Sequence, residues 1–532
     1  MNTHPSAPQV PGKLIAALVP LLMLGACVVG PQYKKPDTPV PPEFRAQVTP
    51  ADSQSFADLP WWTVFKDAAL QGLITKALAS NYDLQVAVAR IEQARAQVDI
   101  AQSQGLPQIG YGGTAETASA FIPGALTKNG KSGTTTYGAF EGLLNAAWEL
   151  DLWGRIRHTT EAAQASLYGQ EDVRRGVMLT LVSDLAADYF KLLELDQELV
   201  IARDSAETYK KTLDLFTYRF EGGKDSRLPV ERAQAAYESA NAAIHSATLQ
   251  IGQLENAISI LVGDYPRAIE RGRSLAEQST PQTPTGTTTT LLQRRPDILH
   301  AEQNMIAANA EVGVAVANFF PRVGLSAFAG GDAVHVAGAW QTFSVWDLAL
   351  NLAGPIYSGG RLQAAYHQSQ SYWDETVAQY KQIVLSAFRE TSDALVAQRN
   401  LGPRRIALES QVGALRHSAD LAMLRYQAGR ASYFEVLEAQ QELFPAENDL
   451  AQTERDQLVA VVNLYKALGG GWDQKEAVPA AQMTNNAAAA APEQIAAATA
   501  STPAQAPPST EVAAATTAGP AAQPTTSPAT GK

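Results

Sequence analysis

Between residues 150 and 220 the apolar positions fall into a repeating four-three step: Met178, Val182, Leu185, Tyr189 and Leu192. The same step returns at Leu408, Val412, Leu415, Ala419, Ala422 and Tyr426, and again at Leu458, Val461, Tyr465 and Leu468. Such spacing lines one stripe of a helix and predicts coiled-coil packing. A helix over 156–220 has 65 residues and at 1.5 Å per residue reaches roughly 100 Å. Its counterpart over 362–428 carries Gly402-Pro403, which predicts a bend or an interruption, and Pro445 predicts the same in the returning helix.

Between the helical stretches the period changes. LPQIGYGGTAETASAF, TTTYGAFEGLLNAAWELDLW, FPRVGLSAFAGGDAV and TFSVWDLALNLAGPIY are rich in Gly, Thr and aromatics. They alternate in part, with Trp148, Leu150 and Leu152 on one face and Leu348, Leu350 and Leu352 on another. They read as two β-hairpins, over about 106–152 and 321–357, with strands of roughly the ten residues that cross an outer membrane when tilted.

Sliding the chain over itself explains why elements come in pairs. Asp83 aligns with Asp297 and Pro107 with Pro321, a step of 214. Arg219 aligns with Arg425, Gly223 with Gly429 and Gly154 with Gly360, a step of 206. The eight-residue difference therefore lies between Pro107 and Gly154, in a loop or hairpin that is shorter in the second copy. The division is 61–262 for the first repeat, 263–290 for a linker and 291–472 for the second repeat. After Trp472 the chain turns to Ala, Pro and Thr, a composition that cannot bury a core and predicts disorder over 473–532.

Composition narrows the function classes. A net charge of −12 without a basic cluster disfavours nucleic acid as a partner. One cysteine excludes an intrachain disulfide and a thiolate metal cluster. Seven scattered histidines form no HExxH pair, and neither a Walker loop nor a GxSxG elbow is present, so no catalytic site or metal site is expected. GYGG at 110–113 matches a phosphate loop weakly and sits in an expected strand. No enzyme is predicted.

Residues 1–26 have the order of a signal peptide: Lys13, then LIAALVPLLML, then Gly25 and Ala26. LGAC, ending at Cys27, resembles the lipobox of bacterial lipoproteins. That resemblance implies a diacylglycerol and an N-acyl chain on Cys27 as the only attached group, with no other cofactor, and an acylated extended segment over 27–60. Val28 in place of aspartate points, within that class, to the outer membrane.

Four strands cannot close a membrane barrel, and open edges in lipid leave backbone groups unsatisfied. Strands in a membrane would have to share a barrel with other copies. At this point WWTVFKDAALQGLI, WELDLWGRIR, LLQRRPDILHAE, the repeat and the glycine turns together resemble the TolC/OprM-type outer-membrane factors, in their lipoprotein branch, over residues 27–472. The resemblance implies an α+β membrane protein and a homotrimer. Its twelve-stranded β-barrel would continue into a twelve-helix α-barrel, with an equatorial domain near Trp61–Ala69, Gly263–Thr290 and the segment after Gly470. It implies a passive exit duct for drugs or other small molecules, joined to a periplasmic adaptor and an inner-membrane RND-type transporter. A type I protein-secretion duct and a structural coiled-coil lipoprotein are the alternatives.

The turns FEGGKDSRLP and YQAGRASYFE join the long helices. Gly222, Gly223 and Gly429 suit left-handed helix ends. The resemblance gives these glycines and Arg430 adaptor contact, and gives Glu435, Glu438 and Tyr426 the periplasmic aperture. Pro229 stands at the first-repeat place matching Glu435.

Overall fold

The computed structural model describes residues 28–45, 66–123, 132–278, 288–336 and 339–470. Cys27, the signal segment, Trp61–Phe65 and the chain after Gly470 lie outside the described residues.

Helices α1 (Ala68–Ser80) and α2 (Tyr82–Ser103) lead into strands β1 (Gln108–Ile122) and β2 (Gly133–Leu150). Helices α3 (Arg155–Glu221) and α4 (Arg227–Leu261) follow. After a short 3-10 turn at Leu275–Glu277 the order repeats. Helices α5 (Thr288–Arg294) and α6 (Pro296–Ala317) precede β3 (Arg322–Val336) and β4 (Ala339–Ala353), and α7 (Arg361–Gln427) and α8 (Tyr433–Ala467) complete the series. The copies agree in detail: α3 and α7 each have 67 residues, and α4 and α8 each have 35. The step from α2 to α6 is 214, and that from α3 to α7 is 206. β1 and β2 are joined across 123–132, whereas β3 and β4 are joined across 337–338, so the length difference falls in the hairpin connection.

Neither internal proline interrupts its helix. Pro403 and Pro445 lie inside continuous α7 and α8, contrary to the break that the sequence allowed. A proline forfeits one bond to the carbonyl four residues earlier. Those carbonyls belong to Arg399 and Gln441, both exposed, so water can satisfy them.

The four strands form one antiparallel sheet in the order β1-β2-β3-β4. The sequence supplies two hairpins, and the β2–β3 pairing welds them together, with Trp148 opposite Leu325 and Leu144 opposite Ala329. Strand alternation sorts the side chains. One face carries Tyr111, Leu144, Trp148, Leu325, Trp346 and Leu352. The other carries Glu116, Glu141, Asn145, Asp332, Asp347 and Asn351. Leu152, expected in this alternation, lies past the end of β2.

Below the sheet the helices keep the strand order, with α2 against α3, α3 against α6 and α6 against α7. Farther along, α3 packs on α4 and α8, and α8 on α7. The main core includes Leu185, Tyr189, Leu192, Tyr380, Val461 and Tyr465, so the first and third four-three seams lie in it. A second core near the helix ends joins Phe216, Ala233, Ala236, Ala422 and Val436.

Candidate functional site: an amphipathic sheet, its helical junction and the helix tips

The sheet-to-helix junction is built by WELDLWGRIR. Glu149 accepts two bonds from Arg155, at 2.9 and 3.0 Å. Asp151 accepts from the backbone N–H groups of Ile156 and Arg157 at 3.1 and 2.9 Å, closing the free first turn of α3. The Trp153 indole donates to the Pro321 carbonyl at 2.7 Å and stacks on Phe320, which ties the two repeats together.

Onto this junction docks the N-terminal arm, residues 28–45. The Val29 amide donates to Trp153 O at 3.2 Å, and Asn309 Nδ2 donates to Pro31 O at 3.1 Å. Lys35 pairs with the buried Glu302 at 2.6 Å, and Phe44 enters the main core beside Phe388. Gly154 has φ +83°, and a Cβ there would strike Val28 at 2.7 Å, so the glycine is required by both turn and arm.

The segment before α1, where an equatorial domain is expected, is fastened by Asp67, which is 1% exposed. Its Oδ1 accepts from Ala69 and Leu70, capping α1. Its Oδ2 accepts from the Arg273 amide at 3.0 Å, Gln278 Nε2 at 2.8 Å and the Tyr189 hydroxyl at 3.2 Å. Burial alone would raise this carboxyl; the bonds from Arg273, Gln278, Leu70 and Tyr189 outweigh it and hold the group below the usual range. Nearby, Arg271 joins Asp196 at 2.8 Å and also meets Glu255. Sequence reading missed Asp67, although an aspartate before the apolar run AALQGLI is an N-cap signal.

At the helix tips both turns have one geometry. The amide of Gly223 donates to Phe220 O and that of Lys224 to Arg219 O, both at 2.9 Å. In the second repeat Gly429 donates to Tyr426 O at 2.9 Å and Arg430 to Arg425 O at 2.8 Å. This is the paired bonding of a Schellman end, whose left-handed residue is Gly223 (φ +68°) or Gly429 (φ +69°). Gly222 corrects the expectation: its φ is −76°, and Ala428 holds the matching place, so no left-handed residue is needed there.

The predicted aperture residues are only partly brought together. Tyr426 lies against Phe216 at 5.6 Å and under the Arg219 guanidinium at 5.3 Å, while Arg219 Nε donates to Asp225 at 2.5 Å. Burial pushes the Tyr426 hydroxyl above its ordinary pKa, with Arg219 opposing. Glu435 is engaged locally: its Oε1 accepts from the Ser432 amide at 3.3 Å in a capping box, and its Oε2 lies 3.5 Å from Arg425. The S-x-x-E pattern of SYFE is the signal for that second duty. Glu438 stands one turn on, exposed, and the Arg430 side chain is also exposed.

Residues 73–264 and 288–470 match the family described as outer membrane efflux protein. The chain belongs to the outer membrane efflux protein family. It is 30% identical over 471 residues to the cation efflux system protein CusC of Escherichia coli, covering 87% of this chain and all of that protein. It is 33% identical over 470 residues to the probable efflux pump outer membrane protein TtgC of Pseudomonas putida, covering 86% and 96%. The open-state structure of the Neisseria gonorrhoeae MtrE outer membrane channel superposes with a TM-score of 0.73 at 28% identity, covering 84% of this chain and 99% of that one. These efflux relatives are channel components rather than enzymes. The chain is accordingly an outer-membrane protein with a large periplasmic part, and it serves as an exit duct. GYGG, the weak phosphate-loop match, lies inside β1 of that sheet.

Proposed function

We propose that three copies of this chain close a twelve-stranded barrel and a twelve-helix tunnel, which passively conduct drugs or other small molecules delivered by a periplasmic adaptor and an inner-membrane transporter. The observation that carries this reading is the four-stranded sheet with two free edges. Among the described residues β1 and β4 each pair on one side only, and unpaired edges in lipid cost several kcal/mol per backbone group. A second copy satisfies them. The apolar face, where Tyr111 is 89% and Trp346 79% exposed, is suited to lipid, and the acidic face to water in a lumen.

Acylation at Cys27 would place a second anchor beside the same junction, because Val28 and Val29 already pack on Gly154 and Trp153. At the far end the turns at Gly222, Gly223, Gly429 and Arg430 would meet the adaptor. Glu435, Glu438 and Tyr426, repeated three times, would form an acidic constriction.

Cysteine pairs across the free edges test this reading. Thr117→Cys on β1 is combined in turn with Trp340→Cys, Thr342→Cys and Ser344→Cys on β4. Within one sheet these edges are three strand spacings, about 14 Å, apart, too far for an intrachain disulfide. Oxidation in outer-membrane fractions should give a ladder of covalent dimers and trimers for at least one pairing; monomer alone in every pairing would refute the shared barrel.

A further inference from the structure

The N-terminal arm meets the start of α3 at one buried side chain. His158 is 7% exposed and stands between the arm, α3 and α6. Its Nε2 lies 3.1 Å from the Val29 carbonyl oxygen, and its Nδ1 lies 3.0 Å from Glu161 Oε2. Two glycines make room for the ring. A Cβ on Gly313 of α6 would strike it at 2.6 Å, and one on Gly30 of the arm would come within 3.1 Å of Nε2 and 2.9 Å of the Gly313 Cα. Gly30 also has φ +134°, which L side chains rarely adopt.

Both ring nitrogens thus face oxygen acceptors. A neutral imidazole has one N–H and one lone pair, so it satisfies either the carbonyl or the carboxylate and turns a lone pair on the other; an imidazolium donates to both. His300 on α6 has the contrasting arrangement. Its Nδ1 lies 3.0 Å from the Gly169 carbonyl oxygen and its Nε2 3.2 Å from Asn304 Nδ2, one acceptor and one donor, which suit a neutral ring. The other charges close to His158 in sequence are paired elsewhere, Arg155 with Glu149 and Arg157 with Asp151. From α6 the ring meets uncharged Gly313, and from the arm it meets backbone. Lys35 and Glu302 pair with each other about three turns along α6 from Gly313.

We infer that His158 is a protonation-dependent clasp for the arm. As an imidazolium it bridges Val29 and Glu161 through two charge-assisted hydrogen bonds. Loss of one proton makes one of the two contacts repulsive and loosens the seat of Val28 and Val29 on Gly154 and Trp153. Histidine changes charge between about pH 5 and 8, so the arm is held more firmly at the acid end. Cys27 is the residue next to Val28, so the clasp governs how firmly the segment beside the proposed acylation site is seated.

Hydrogen exchange of the purified full-length protein in detergent, corrected for the pH dependence of the chemical rate, reads the clasp at the Val29 amide, which donates to Trp153 O. Protection should be roughly tenfold higher at pH 5.5 than at pH 8. His158→Gln, which keeps a donor for Val29 and does not titrate, should abolish the difference. Glu161→Gln should abolish it in the opposite way: its amide donates to the Nδ1 lone pair of a neutral ring, so the arm stays as protected at pH 8 as wild type is at pH 5.5. Asp172, whose carboxyl burial pushes up to about 6, acts on Glu302 and hence on the Lys35 end of the arm, so Asp172→Asn should leave the Val29 difference in place. Equal protection of wild type at the two pH values would overturn the clasp. So would a difference that survives in His158→Gln or Glu161→Gln, or one that vanishes in Asp172→Asn. Protected Leu185 and Leu192 amides in the α3 seam report an intact fold in each variant, and the wild-type comparison stands without any of them.

Discussion

Asp172 has a clear energetic consequence. It is 5% exposed on α3, and burial pushes its carboxyl up to about 6 even though Arg175 donates to it at 2.7 Å. Glu171 and Glu302 add to the rise. A folded-state value above the ordinary 3.8 means that the folded chain holds a proton the unfolded chain has released. Stability is therefore gained as pH falls from about 7 toward 4, and lost as it rises through about 6, by on the order of 2 kcal/mol. Asp172→Asn should flatten this dependence: thermal melts followed by helix ellipticity in detergent should differ less between pH 7.5 and pH 5 than in wild type. An unchanged pH slope would place the titration elsewhere. At the same scale, Asp67 and Glu435 each carry two duties, capping a helix and tying another segment, and only the capping half has a sequence pattern. For Asp67 the tying half depends on Arg273, more than 200 positions away.

Elements were legible where their cause is local. The four-three seams set the long helices, the alternation set the strands, and the repeat offset reappears in helices of matched length. The joining of two hairpins through β2 and β3 was not legible, because the paired residues Leu150 and Val323 are far apart and share no turn. The prolines do not interrupt their helices for a physical reason: a single lost bond on an exposed helix face leaves the packing of 67 residues intact. The turn glycines divide by backbone angle rather than by position in GG. Gly429→Ala should cost about 1–2 kcal/mol, since an L-residue is strained at φ +69°. Gly222→Ala should be close to neutral at φ −76°. Hydrogen exchange resolves the two: Gly429→Ala should speed exchange of the turn amides at positions 429 and 430 by roughly 5- to 30-fold, whereas Gly222→Ala leaves its turn near wild type. Equal effects would contradict the assignment of Gly223 and Gly429, rather than Gly222, as the left-handed glycines of these turns.

For the whole molecule, one chain presents half-finished surfaces in register. The sheet has two free edges, a lipid-suited face and an acidic face, and it passes through the Glu149–Arg155 and Trp153–Phe320 junction into helices about 100 Å long. In the proposed trimer, neighbouring copies would complete such a surface and give a continuous conduit. Asp67 ties α1 to the segment near Arg273, Arg271 ties that segment to α3 and α4, and the arm packs on α6. Single-channel recording of the purified protein in planar bilayers tests this account most directly. It predicts long-lived, discrete conductance steps that prefer cations over chloride, because among the described residues carboxylates outnumber bases on the sheet face with Glu116, Glu141, Asp332 and Asp347, which the proposed barrel turns to its lumen. A protein that assembles and inserts yet gives no steps, or steps that prefer anions, would contradict it.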